Sequence, residues 1–214
     1  MQSPIYEVVL VRESRRLVYV SGAPGSGKTS LAVPLAAELG YALLAKDRIK
    51  ETLHDALGAP EPDLAWSRRL GAAAMELLWR LPADAPAVVI EANFRPYAER
   101  ERAMLSGLAA RPVEVHCACP PEVALRRYNG RATHPVHVLT TLPLDAMAEY
   151  DRPVGIGALI TVDTTGAVDV SAVAASVRDC HERGRRHEGA HQEPTRVPGS
   201  AAARRDPMAD PCAG

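Results

Sequence analysis

A chain of 214 residues with 47% apolar content is enough for one domain with a single sizeable core, plus extensions. A formal net charge of −1 gives no support for a general nucleic-acid or membrane surface, which needs Lys and Arg in strong excess on one face. Aromatic residues make up only 4%, so the core must be built mainly from Ala, Val and Leu.

The first residues lack the charged, apolar and small-residue order of a secretory signal, and no apolar run approaches the roughly 20 residues that span a bilayer. A cytoplasmic protein is the expectation. Residues 5 to 11 are strand-like and could add an edge strand ahead of the domain, which is expected over 16 to 182. Residues 16 to 21 form the first short apolar run. It leads straight into Gly22-Ala23-Pro24-Gly25-Ser26-Gly27-Lys28-Thr29, a full match to the phosphate-loop pattern G-x-x-x-x-G-K-[ST]. Glycines let the backbone wrap an anion with its N–H groups pointing inward, and the helix that follows adds its positive end. In this reading Lys28 reaches the outer phosphates of ATP, Thr29 ligates Mg²⁺, and Ser30 completes the nucleotide-binding set.

The helix after the loop is expected from about Gly27 to Leu39, stopped by Gly40 and kinked or opened by Pro34. Strands are expected at 41 to 46, 86 to 92, 113 to 119 and 158 to 163, each a short apolar run ending in polar or turn residues. Helices are expected at 48 to 57, 62 to 81, from Pro96 to about Ala110, at 121 to 130 and at 168 to 182. In the second of these, Trp66 joins Leu70, Ala74 and Leu78 at helical spacing, and both Trp66 and Trp79 read as core. The alternation implies a layered α/β domain with a parallel sheet. Residues 183 to 214 contain no Ile, Leu, Phe, Tyr or Trp and read as a disordered tail. The four cysteines, Cys117, Cys119, Cys180 and Cys212, form no C-x-x-C pair and read as ordinary thiols.

Ligands of parallel sheets collect at the carboxyl ends of the strands. After strand two, Lys46-Asp47-Arg48-Ile49-Lys50 sets a carboxylate among cations. Asp47 could take a proton from an attacking hydroxyl while Arg48 and Lys50 hold the substrate, or it could simply cap the next helix. After strand three, Glu91 could position a magnesium-bound water or the acceptor, or be a satisfied buried carboxylate. Asn93 and Arg95 follow it as candidate substrate contacts, with a surface arginine as the alternative for Arg95. After strand four, Arg126-Arg127-Tyr128-Asn129-Gly130-Arg131 and His134-Pro135-Val136-His137 read as a lid, or as a solvated basic helix end. Arg127 and Arg131 stand four apart, and their guanidinium forks suit a transferring phosphoryl group. His134 and His137 fit no zinc spacing.

These blocks, together with Val162-Asp163-Thr164-Thr165, resemble the small-molecule kinase branch of P-loop proteins, often described as AAA-type ATPase domains. That branch includes polynucleotide kinases, chloramphenicol phosphotransferase, gluconate kinase and zeta-type toxins. The resemblance implies a three-layer P-loop NTPase fold, a five-stranded parallel sheet in the order 2-3-1-4-5, ATP and Mg²⁺ as cofactors, and transfer of the γ-phosphoryl group to a small-molecule hydroxyl. It implies Asp47 as catalytic base, Arg127 and Arg131 as lid arginines, and Thr164 and Thr165 beside the adenine. The sequence departs from the pattern at Glu91, where a Walker B aspartate is usual, and at Thr133 and Val136, where the lid often carries Arg and Gly. A regulatory P-loop ATPase and a zeta-like kinase of nucleotide sugars are the alternatives, and nucleic acid is left only as an end-phosphorylation substrate.

Overall fold

The computed structural model describes residues 15–58 and 63–189. Residues 5 to 11 and most of the expected tail therefore lie outside the described residues. Five strands form one parallel sheet: β1 (Arg16–Ser21), β2 (Ala42–Ala45), β3 (Ala87–Glu91), β4 (Val113–Ala118) and β5 (Ala158–Asp163). Their spatial order is β2-β3-β1-β4-β5, as the resemblance implied. In the register Val18 lies opposite both Val89 of β3 and Val113 of β4. The central strand is thus paired on both sides.

Alternation along β1 divides the core into two layers. Val18 and Val20 pack under helix α1 (Lys28–Leu39) and the last helix, with Leu31, Leu35, Val173 and Val177 around them. Leu17 and Tyr19 face the other way, onto Leu78, Trp79, Ile90, Phe94 and Leu105. Phe94 meets Tyr19 edge-on and Trp79 at a tilt, both at 5.8 Å between ring centroids. Contacts of that kind contribute about 0.5–1.5 kcal/mol each beyond burial. They also fix where the chain leaves β3.

Between the strands lie α2 (Lys46–Leu57), α3 (Leu64–Arg80), α4 (Glu99–Leu108) and α5 (Pro121–Gly130), and α6 (Val170–Gly189) follows β5. Several boundaries differ from the sequence reading. α1 runs unbroken through Pro34, because Leu31, Ala32, Leu35 and Ala36 are buried against the sheet and hold the turns around it. α4 begins at Glu99, since Pro96 and Tyr97 form a turn ahead of it. α6 continues to Gly189, seven residues past the expected end at 182, because an established helix adds one hydrogen bond per further residue without needing an apolar face. Trp66 is half-buried outside the core, and its indole N–H donates to His54 Nδ1 at 3.1 Å, tying α3 to α2. Cys117, Cys119 and Cys180 are free thiols. Among the described residues no helix is long and apolar enough to cross a membrane.

Candidate active site

The loop between β1 and α1 curls over the carboxyl end of the sheet, with Gly22, Gly25 and Gly27 all at positive φ. Gly25 lies so close to α5 that a Cβ there would collide with the Ala124 carbonyl. Only glycine satisfies both that contact and a φ of 78°. α1 starts on Gly27 with no side-chain cap and no acid in its first turn, so its leading N–H groups remain available to an anion. Ser26 Oγ is buried with no hydrogen-bond partner. An unsatisfied hydroxyl, uncapped N–H groups and a glycine cradle together fit a phosphate chain.

A cavity of about 490 Å³ opens in front of this loop. Pro24, Gly25, Gly27, Lys28, Thr29 and Ser30 form its floor, Asp47, Glu91 and Asn93 one wall, and Arg127 and Arg131 the other. Thr164, Gly166, Ala167 and Val168 border the far end. Lys28 is buried, with Nζ donating to the Ala23 carbonyl at 2.7 Å. Burial pulls its pKa down, against the upward pull of Glu91 and Asp47. Thr29 Oγ1 donates to Glu91 Oε2 at 3.1 Å. Burial, reinforced by the Asp47 charge, raises the pKa of Glu91 despite Lys28.

Asp47 is not a helix cap. α2 begins one residue earlier, at Lys46, and its cap position is Ala45, so Asp47 stands inside the first turn. Its Oδ1 accepts from Lys46 Nζ at 3.0 Å. Burial alone would raise its pKa, but Lys46, His137 and Arg131 outweigh burial and hold the carboxyl below its ordinary range.

The segment after α5 folds back onto α2. His134 Nε2 meets Asp55 Oδ1 at 3.1 Å and His137 Nε2 meets Glu51 Oε1 at 2.9 Å, while His54 packs edge-on against His134. Both histidines are thus occupied by carboxylates of α2, which dock the segment onto that helix. Arg131 stacks over the Tyr128 ring at 4.5 Å, and its charge lowers the pKa of both Asp47 and Lys28. Arg127 donates to the Thr164 carbonyl at 2.9 Å and to the Thr165 carbonyl at 2.7 Å, fixing the loop after β5. Thr164 is buried, and its hydroxyl donates to the Ser26 carbonyl at 2.6 Å. Thr165 is exposed with its N–H held by Asp163, and the cavity border at that loop passes to Gly166 and its successors.

Three candidate substrate residues do not reach the cavity. Lys50 is buried where α3 packs along α2, and its Nζ donates to Ser67 Oγ at 2.7 Å. Arg95 follows the inward-anchored Phe94, so it points outward and pairs with Glu149 at 3.2 Å. Arg48 is exposed and outside the lining.

Sequence reasoning missed Glu114, which is wholly buried in β4. Its Oε1 accepts from Ser21 Oγ at 2.5 Å and from the Val154 N–H at 2.8 Å. Its Oε2 accepts from Tyr19 at 2.9 Å and from the Gly155 N–H at 2.8 Å. A lone acid and a lone histidine within Val113-Glu114-Val115-His116 were the available signal.

Among known proteins, the AAA domain family matches residues 17–153 of the chain. A crystal structure from Chloroflexus aurantiacus, described provisionally as a kinase, is similar with a TM-score of 0.67 and 31% identity over 78% of this chain and 98% of its own. A sugar kinase from Janibacter sp. HTCC2649 is 20% identical over 79% of this chain and 98% of its own, with a TM-score of 0.51. A shikimate kinase from Acinetobacter baumannii, solved with shikimate, is 18% identical over 83% of this chain and 98% of its own, with a TM-score of 0.53. At those identities the last two share the fold alone. No curated protein matches the chain.

Proposed function

Because the chain belongs to the AAA domain family, and because its phosphate loop and a carboxylate share one cavity, we propose an ATP-dependent phosphotransferase that moves the γ-phosphoryl group to a hydroxyl of a small molecule. The observation that carries this reading is the placing of Asp47 with Lys28, Thr29 and Arg131 around a single space. The loop N–H groups and Lys28 hold the β- and γ-phosphates of ATP. The acceptor hydroxyl gives its proton to Asp47 Oδ2, the oxygen that Lys46 leaves free, as its oxygen attacks the γ-phosphorus. The bond to the β-phosphate bridging oxygen breaks, and Arg131 meets the charge on the transferring group. Arg127 acts by holding the Thr164–Thr165 backbone along the border of the nucleotide site.

Thr29 and Glu91 would hold Mg²⁺, which supplies charge neutralisation across the phosphates when bound. Among the described residues no cluster of three or more His, Cys, Asp or Glu forms a metal site by itself. Magnesium commonly takes one or two protein ligands plus substrate oxygens, so this pair suffices. Asn93 is the remaining acceptor contact on that wall. We place the reaction in the cytoplasm, where the thiols of Cys117, Cys119 and Cys180 would stay reduced.

The test is acceptor-stimulated ADP release across sugars, nucleosides and antibiotics, repeated with Asp47→Asn. The variant keeps the shape of the side chain and an oxygen for Lys46. Transfer should fall by roughly 10²-fold or more, the range for losing a general base, with nucleotide affinity retained. Full turnover in Asp47→Asn, or ATP hydrolysis that responds to a protein and to no hydroxyl compound, would replace the kinase with a switch-type ATPase.

A further inference from the structure

A second cavity, of about 410 Å³, backs onto the phosphate loop. It shares no lining residue with the first: the loop gives Pro24, Gly25 and Gly27 to one and Ala23 to the other. Its floor is the carboxyl end of β4, and its roof is the 3₁₀ turn Leu144–Tyr150, which contributes Leu144, Met147 and Tyr150.

One polar group in this cavity has its proton fixed by the network behind it. Val154 and Gly155 can only donate to Glu114 through their backbone N–H groups, and the Ser21 hydroxyl donates to the same carboxylate. The single Ser21 proton is then spent, so its oxygen must accept from His116 Nδ1, 2.9 Å away. A neutral imidazole with its proton on Nδ1 carries a lone pair on Nε2. His116 is buried, and burial pulls its pKa down, aided by Lys28 and opposed by Glu114, which keeps it neutral. Nε2, which has no partner among the described residues, therefore presents an acceptor in an otherwise largely apolar chamber. Two exposed acids, Glu122 and Asp151, also line it and repel anions.

We propose that this second cavity is a binding site for a small, ring-sized molecule, neutral or cationic, whose hydroxyl or amino group donates to His116 Nε2. The site is separate from the phosphoryl-transfer cavity and does not depend on the reading given to that one. An apolar body of six to eight heavy atoms would occupy the part of it beside Met147 and Tyr150 and leave room for larger members of the class. An anionic ligand would meet a lone pair and two carboxylates.

The test uses nucleotide-free protein labelled with ¹⁵N-histidine, titrated separately with cyclohexanol, cyclohexylamine and cyclohexanecarboxylate. The expected result is a His116 Nε2 that carries no proton, whose resonance moves saturably with the alcohol and the amine and stays still with the carboxylate. Ala148→Trp places a large ring on the exposed rim residue Ala148 and should abolish the shift while leaving His116 intact. His116→Phe should weaken binding of the alcohol, measured by saturation transfer, several-fold to about tenfold, the loss expected for one hydrogen bond. A protonated Nε2, a resonance unmoved by all three probes, an equal response to the carboxylate, or a shift that survives Ala148→Trp would each overturn the proposal.

Discussion

Replacing Glu114 by glutamine keeps the size of the side chain and turns one of its two acceptor oxygens into a donor. Each oxygen of Glu114 receives one hydroxyl and one backbone N–H: Ser21 and Val154 at Oε1, Tyr19 and Gly155 at Oε2. The Tyr19 hydroxyl can turn away, toward the Ile156 carbonyl at 2.8 Å, whereas Ser21 has no second acceptor while His116 Nδ1, 2.9 Å away, keeps its proton. A backbone N–H cannot, so either orientation of the amide leaves one N–H facing an NH₂ group. The cheaper choice sets the NH₂ group toward Gly155, which is exposed enough for water to help, and spares Val154, which is buried. An unsatisfied donor of this kind costs about 1–3 kcal/mol, and the partly solvated one belongs at the lower end, about 1–2 kcal/mol. For a domain of this size that lowers the thermal midpoint by roughly 2–8 °C. Glu114→Ala strips both oxygens, orphans the Val154 N–H as well, and should fall further by at least another ~1 kcal/mol. Urea and thermal unfolding of the two variants measure the difference. A glutamine variant as stable as the parent, or an alanine variant no worse than glutamine, would refute the view that Glu114 pins the loop entering β5.

Arg131→Lys keeps the charge but loses both the planar fork and the stack on Tyr128, so transfer should fall by more than ATP affinity does. Equal steady-state kinetics would remove Arg131 from the site. Lys28 is buried rather than exposed as loop position alone suggests, and its pKa is depressed before nucleotide arrives. Phosphate charge should raise it again, so binding in the alkaline range should take up protons; calorimetry in buffers of different ionisation enthalpy that finds no uptake would contradict this. The pKa of Asp47 is lowered, so its contribution to stability is present above the unfolded value and lost as pH falls through the folded one. If Asp47 is the base, as proposed, it should stay ionised, and the acid limb of kcat/KM should lie below the ordinary aspartate value of about 3.9 unless unfolding intervenes first; a limb centred near pH 6.5, the histidine range, would exclude Asp47 as the group that limits the rate.

The strands and the phosphate loop were legible because both are local: short apolar runs, and glycines at fixed spacing. Asp47 was legible as a position, but whether it caps the helix turned on whether α2 starts at Lys46 or at Arg48, two residues later. Lys50 and Arg95, both candidate substrate contacts, are drawn away from the cavity for one shared reason. Their partners, Ser67 and Glu149, lie 17 and 54 residues away, and packing rather than spacing decided which way each cation pointed. Glu114 was hidden by its setting, because an acid between two valines scores as part of an apolar run until the donors from residues 19, 21, 154 and 155 are seen around it. The carboxylates that receive His134 and His137 come from α2, more than seventy residues earlier, and the sequence offered no way to pair them.

The backbone contact between Gly25 and α5 ties two halves of the site together mechanically. α5 bears Arg127 near its end, and Arg131 follows as its terminating residue, so both guanidinium groups ride on one short rod that leans on the loop through Ala124 and Tyr128. The junction is main chain against main chain, so it has no side chain to flex and absorb a displacement. A shift of the loop as it grips phosphate would be transmitted to the rod undiminished, and both arginines would travel together. Position 25 thus acts as a fulcrum, and a side chain placed there would push the phosphate loop and α5 apart, displacing both guanidinium groups along with the loop.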